Sequence, residues 1–166
     1  MKPQILIIMG SDSDLPIMEE TGKVLNEFGI PFDITIASAH RSPGRTAALA
    51  GEAEKNGVEV IIAGAGAAAH LAGFIAAHTI LPVIGVPINS SPLQGFESLL
   101  SMVQMPPGVP VATMAVGKAG AKNAAIFAIE IIGRKNTRAA KQLKEYKKKM
   151  AEEVEKKAKA LKKKQG

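Results

Sequence analysis

Gln4-Ile-Leu-Ile-Ile-Met9 runs straight into Gly10-Ser-Asp-Ser-Asp14, and the change of character at Gly10 decides the fold. A short apolar run without polar alternation is what a strand covered on both faces requires. The small polar segment leads into Leu15–Phe28, with Ile17, Thr21, Val24, Leu25 and Phe28 on one helical face. Asp14 is the expected N-cap, Pro16 lies in the first turn, and Gly29 is the stop. The same strand, small-residue loop and helix recur along the chain. Further strands are expected at Phe32–Ala37, Val58–Ala63, Pro82–Pro87 and Val111–Val116. Further helices are expected at Pro43–Asn56, His70–Thr79, Phe96–Met105 and Ala119–Ile132. Right-handed crossovers between such units give an α/β fold, a three-layer α/β/α sandwich around a five-stranded parallel sheet. The expected strand order is flavodoxin-like, 2-1-3-4-5, with an extra C-terminal helix over about 137–163. Residues 1–136 are expected to form the main α/β domain and 137–166 its Lys-rich helical extension.

The 166 residues suffice for one domain with a sizeable core. No apolar run reaches the 18 or so residues a membrane span needs, and the N-terminus lacks the flanks of a signal peptide. The absence of cysteine excludes disulfides, thiolate catalysis and Cys-based zinc sites. These features fit a cytoplasmic protein. The net charge of +6 is a property of the tail, because residues 141–166 hold eleven lysines and four glutamates. There Leu143, Tyr146, Met150, Val154, Ala158 and Leu161 recur at spacings of three and four. That is an amphipathic packing helix with a solvated basic face, and nucleic-acid binding is disfavoured. Ala121–Ile132 is apolar on most of its circumference, which in a small chain points to a subunit interface and a homo-oligomer.

In a parallel α/β sheet the loops after the strands share one edge, where ligands bind. Three loops should therefore meet: Gly10–Asp14, Ser38-Ala39-His40-Arg41-Ser42-Pro43, and Gly64-Ala65-Gly66-Ala67-Ala68-Ala69-His70. The first offers backbone amides at a helix N-terminus to a phosphate, hydroxyls from Ser11 and Ser13, and Asp14 for a ribose diol. Equally, it fits a capped helix without ligand. In the second, Arg41 carries a planar fork for phosphate and His40 exchanges protons near neutral pH. The third has no charged side chain before His70, so its contribution is accessible backbone amides. His78, near the far end of the following helix, reads as structural. No His/Asp/Glu trio has metal-ligand spacing, no Walker lysine is present, and no GxSxG elbow supports a serine hydrolase.

These segments, in this order, resemble the PurE family, N5-carboxyaminoimidazole ribonucleotide mutase, also called the catalytic subunit of phosphoribosylaminoimidazole carboxylase. The likeness runs from Ile5 to about Ile132. It includes Met9–Asp14, Ser38–Pro43, Val60–Gly66, Ala68–Leu71, Gly85–Pro87, Ser101–Pro106 and Gly117–Gly120. The resemblance implies a step of purine synthesis that needs no cofactor or metal, in a homo-octamer. A carboxylate moves from the exocyclic nitrogen of an aminoimidazole ribonucleotide to ring carbon C4. It further implies that Ser11, Asp14 and Arg41 hold the ribose 5-phosphate portion, with Ser13, Ser38 and Ala39 beside them. His40 is the implied proton-transfer residue. The segment with Ala65, Gly66, His70 and Leu71 surrounds the migrating carboxylate. A related branch carboxylates aminoimidazole ribonucleotide directly, and a ribonucleotide-binding module without catalysis would share the motifs. Two positions depart from the family pattern. Ala67 stands where a glycine is usual, and Ala72 where a proline is. If position 67 needs positive φ, alanine there costs on the order of 1 kcal/mol.

Overall fold

Ile5–Met9 forms β1, and every residue of it is buried. The computed structural model describes residues 2–165. β2 (Phe32–Ile36), β3 (Val60–Gly66), β4 (Val83–Ile88) and β5 (Ala112–Thr113) join β1 in one parallel sheet of order β2-β1-β3-β4-β5, the order expected. Alternate side chains of the strands build two cores. Leu6, Ile8, Ile61, Ala63 and Val83 pack with Ala50 of α2 (Pro43–Glu52), Ile75 of α3 (Leu71–Ala76) and Met102 of α4 (Phe96–Val103). The opposite face takes α1 (Leu15–Glu27), whose Met18 lies directly against Gly64. Thr21 Oγ1 donates to the Ala121 carbonyl of α5 (Lys118–Gly133) at 2.9 Å, tying these two helices together. Ile5, Ile7, Ile8, Ile61, Ile62 and Ile84 are fully buried, each stabilising the fold by about 1.5–3 kcal/mol.

Several boundaries differ from the sequence expectation for identifiable reasons. Met18, not Ile17, is the buried residue in the first turn of α1. Asp14 does not cap α1 with its side chain. Instead Asp12–Asp14 form a short 3-10 turn capped by Ser11, with Asp14 closing a capping box back to the Ser11 amide. Gly64–Gly66 continue β3, paired with Val86, Pro87 and Ile88, so the loop proper starts at Ala67. β5 pairs over only two residues, where Val111–Val116 was expected. The cause is Pro87. Its carbonyl accepts from Gly117 N on the β5 side, so its missing N–H is also on that side. A strand residue directs both groups to one neighbour, and proline cannot continue the ladder.

The chain divides into two compact units, 1–128 and 129–166. In the second, α6 (Thr137–Gln165) begins at Asn136, whose Oδ1 accepts from Ala139 N at 3.1 Å. Leu143 is buried, whereas Met150, Val154 and Leu161 of the expected packing stripe are exposed. Among the described residues, no helix is long and apolar enough to cross a membrane.

Candidate active site

Three loops at the carboxyl edge of the sheet enclose a cavity of about 320 Å³. Its wall includes Ser11, Ser13, Asp14, Ser38, Ala39, His40, Arg41, Ala65, Gly66 and Leu71, all anticipated from sequence. It also includes Gly10, Ala67, Ala68 and Ser90. The strand order explains the convergence: β1 and β3 are neighbours, and β2 flanks β1, so their three loops meet where the winding reverses.

The first loop is built differently from a free-amide phosphate cradle. Gly10 N donates to Gly64 O at 3.1 Å, Ser11 N to Asp14 Oδ2 at 3.1 Å, Ser13 N to Ser11 Oγ at 3.4 Å and Asp14 N to Ser11 O at 3.2 Å. Four of the five amides in Gly10–Asp14 are thus already engaged, which shifts recognition by this loop toward its side chains. Burial pushes the Asp14 carboxyl above the usual range, while the amides of Ser11 and Gly10 act in the opposite direction. Exposed Asp12 is held below that range, first by the Ser11 hydroxyl and then by backbone amides.

The second loop is locked by its own serines. Ser42 Oγ accepts from Ser38 N at 3.0 Å and lies 3.2 Å from Ser38 O, to which it donates. Ser38 Oγ accepts from Arg41 N at 3.1 Å, and Arg41 Nη2 donates to Gly10 O at 3.1 Å. The guanidinium is thereby drawn across to the first loop with donors to spare. His40 Nε2 and His70 Nδ1 are 2.9 Å apart, their rings at 83°. One of these nitrogens carries the proton and the other accepts it. His70, which precedes α3, therefore reaches the site through His40. His78 bonds the Phe74 carbonyl through Nδ1 at 2.7 Å and stacks on the Phe74 ring, away from the cavity.

The third loop turns at Ala67, which has φ 50. The positive φ considered from sequence is present, at a cost of about 1–2 kcal/mol for an L-residue. Gly66 still pairs with Ile88 in the ladder, and past it, among the described residues, no backbone carbonyl accepts from Ala68 N or Ala69 N. Backbone N–H groups left free next to a left-handed residue are suited to an anion. Ala72, the other departure, is fully buried in the core beneath this loop.

The sequence model of the AIR carboxylase family matches residues 4–153. The chain belongs to the AIR carboxylase family. Within the family, it is 58% identical over 160 residues to the N5-carboxyaminoimidazole ribonucleotide mutase of Pyrococcus horikoshii, covering 96% of this chain and 89% of that protein. Identity to the Thermotoga maritima mutase is 56% over 159 residues, covering 96% and 92% of the two chains. The crystal structure of Treponema denticola PurE superposes with a TM-score of 0.84 at 28% identity, over 93% of this chain and 95% of that one.

Ser90 is the wall residue that reading the sequence missed. It follows β4, and the rule that placed the other loops at this edge applies to it equally. Its signal was hidden because Asn89-Ser90-Ser91 carries no charged group. A Cβ built on Gly66 would lie 1.8 Å from Ser90 Oγ, so the glycine is what allows Ser90 onto the cavity wall.

Proposed function

We propose that this chain is an N5-carboxyaminoimidazole ribonucleotide mutase acting in purine biosynthesis. The observation that carries the proposal is the convergence, on one cavity, of Arg41, serine hydroxyls, the His40–His70 pair and the Ala67-Ala68 backbone. The names of relatives more than half identical to this chain support it. The substrate has a matching set of parts: a phosphate, a ribose, an imidazole ring and a carboxylate.

In this assignment Arg41, Ser11 and Ser13 hold the phosphate, and Asp14 accepts from a ribose hydroxyl. Ser38 fixes Arg41 and His40 in place. The N–C bond to the carboxylate breaks, giving aminoimidazole ribonucleotide and CO2 as the nitrogen takes up a proton. C4 then attacks the trapped CO2, forming the new C–C bond, and C4 finally loses its proton. One proton is gained at nitrogen and one lost at carbon, so His40 alone can supply the first and collect the second. Leu71, Ala65, Gly66 and the loop after β3 hold the migrating group away from bulk water. The reaction consumes no cofactor and requires no metal.

The protein is further proposed to work in the cytoplasm as a homo-oligomer, with the octamer as its form. Phe96, Leu100 and Val103 make an exposed apolar stripe on α4 that a second copy would cover. A second activity has specific support. The Saccharomyces cerevisiae phosphoribosylaminoimidazole carboxylase is 51% identical over 161 residues, although this chain covers only 28% of its length. One assay separates the two activities. Product absorbance should rise with the carboxyamino ribonucleotide and be lost in His40→Asn, which should retain nucleotide binding. Turnover only with aminoimidazole ribonucleotide plus bicarbonate would replace the mutase by the carboxylase. Binding without turnover of either substrate would leave a ribonucleotide-binding module.

A further inference from the structure

α4 contributes one buried hydroxyl to the floor of the loop after β3. Ser98 is fully buried, and its Oγ lies 3.2 Å from the Ala67 carbonyl and 3.2 Å from the Ile88 carbonyl. One hydroxyl proton is thus shared between the last residue of β4 and the first residue of the loop. The two acceptors are not equally dependent on it. The Ile88 carbonyl also accepts from Ser90 N at 3.0 Å. No second donor to the Ala67 carbonyl occurs among the described residues. Ala67 is the residue held at φ 50, in a conformation that L side chains resist. The hydroxyl therefore acts on the one peptide that needs restraint.

We infer that Ser98 is a positioning residue: it pins the left-handed turn at Ala67 and so keeps the Ala67-Ala68 backbone on the cavity wall. The inference deepens the proposed function, because it rests on that loop holding the migrating carboxylate. Ser98 touches no ligand itself. Its effect should fall on the step that follows nucleotide binding and not on capture of the ribose phosphate, which is assigned to other loops.

The test compares Ser98→Ala, Ala67→Gly and the double variant. Ser98→Ala should lower kcat about tenfold, the kinetic equivalent of one lost buried hydrogen bond, with KM unchanged within about twofold. Ala67→Gly supplies the reference background for the double variant, since glycine adopts positive φ freely. In the double variant glycine removes the need for the pin, so against its Ala67→Gly parent the loss in kcat should shrink from about tenfold to below about threefold, a recovery of at least half on a logarithmic scale. If Ser98→Ala does not fold, Ser98→Cys keeps the volume with a weak donor and is read the same way. Wild-type kcat in the folded Ser98 variant, an effect confined to KM, or no recovery in the double variant would overturn the inference. A measurement free of substrate separates it from the proposed function. The Ala67 Cα and Cβ chemical shifts should report a left-handed residue in wild type and move in Ser98→Ala. Unmoved shifts would overturn the role of Ser98 whatever the enzyme does. A wild type without mutase turnover would overturn the proposed function, with the shifts still deciding on Ser98.

Discussion

Gly66→Ala tests the cavity wall at its tightest point. The new methyl would lie 1.8 Å from Ser90 Oγ, 2.9 Å from Ser90 Cβ and 3.1 Å from the Ile88 carbonyl. Ordinary carbon contacts begin near 3.5 Å, so all three are compressed, by decreasing amounts. The hydroxyl can rotate away, whereas Ser90 Cβ and the Ile88 carbonyl are fixed to backbone. Overpacking of this kind costs about 1–3 kcal/mol, and the fixed contacts place Gly66→Ala near about 2 kcal/mol. Removing the obstacles one at a time should return that loss in steps. With Ser90→Ala the 1.8 Å contact disappears and the 2.9 Å contact remains, so Gly66→Ala should still cost about 1 kcal/mol. With Ser90→Gly only the carbonyl at 3.1 Å remains, and the cost should fall below about 0.5 kcal/mol. The coupling between Gly66→Ala and Ser90→Gly should therefore exceed about 1 kcal/mol.

Urea midpoints at constant slope measure these differences, each double variant being referred to its own Ser90 parent. Turnover adds a second readout. A rotated Ser90 hydroxyl relieves the clash but reshapes the wall, so Gly66→Ala should lose activity beyond its loss of stability. A Gly66→Ala protein within about 0.5 kcal/mol of wild type would refute the packing argument. So would an equal cost in the Ser90→Gly parent, which would mean that Ser90 is not what the methyl meets.

Two further substitutions probe the frame of the site. Burial raises the Asp14 carboxyl, so the folded state holds that proton more tightly than the unfolded state. Asp14 therefore favours folding most below the usual carboxylate range, near pH 4, and that advantage is lost as pH rises through the raised value. In urea titrations at stepped pH, Asp14→Asn should gain on wild type across this window and hold a constant difference above it; wild type gaining instead would reverse the sign. Gly120→Ala would drive a methyl to 1.6 Å from the Ala115 carbonyl oxygen and 2.7 Å from its carbon. Those are backbone atoms with no rotamer to escape to, so a loss of about 3 kcal/mol or more is expected in thermal or urea unfolding.

The fold was legible because its signal is repeated. Five apolar runs alternate with helices that have stops, and short connections leave few topologies open. What escaped was local competition between groups. β5 shortens because Pro87, on the neighbouring strand, has no N–H to offer it. Gly64–Gly66 looked like loop residues because they are small, yet packing of Met18 on Gly64 and Ser90 on Gly66 makes small residues a requirement of the strand itself. Ser98 gave no signal at all. It is one serine in an apolar helix, and its meaning appears only when Ala67 is brought beside it.

The first and third loops both read in sequence as small-residue turns with amides to offer, and the structure makes them unequal. In the first, an acidic side chain folds back onto its own amide at Ser11, leaving recognition to hydroxyls and to the guanidinium that Gly10 O draws in. In the third, no charged side chain competes, and past the left-handed Ala67 the amides of Ala68 and Ala69 give no bond to a backbone carbonyl among the described residues. A group that is gripped once and stays put suits directional side chains with full charge, because strong binding there does not oppose the chemistry. A group that must leave one atom and join another suits neutral amides, which hold a carboxylate without the deep well that a lysine or arginine would create. Placing Arg41 at the entry to the first loop and no cation in the third therefore follows from what each end of the proposed substrate has to do.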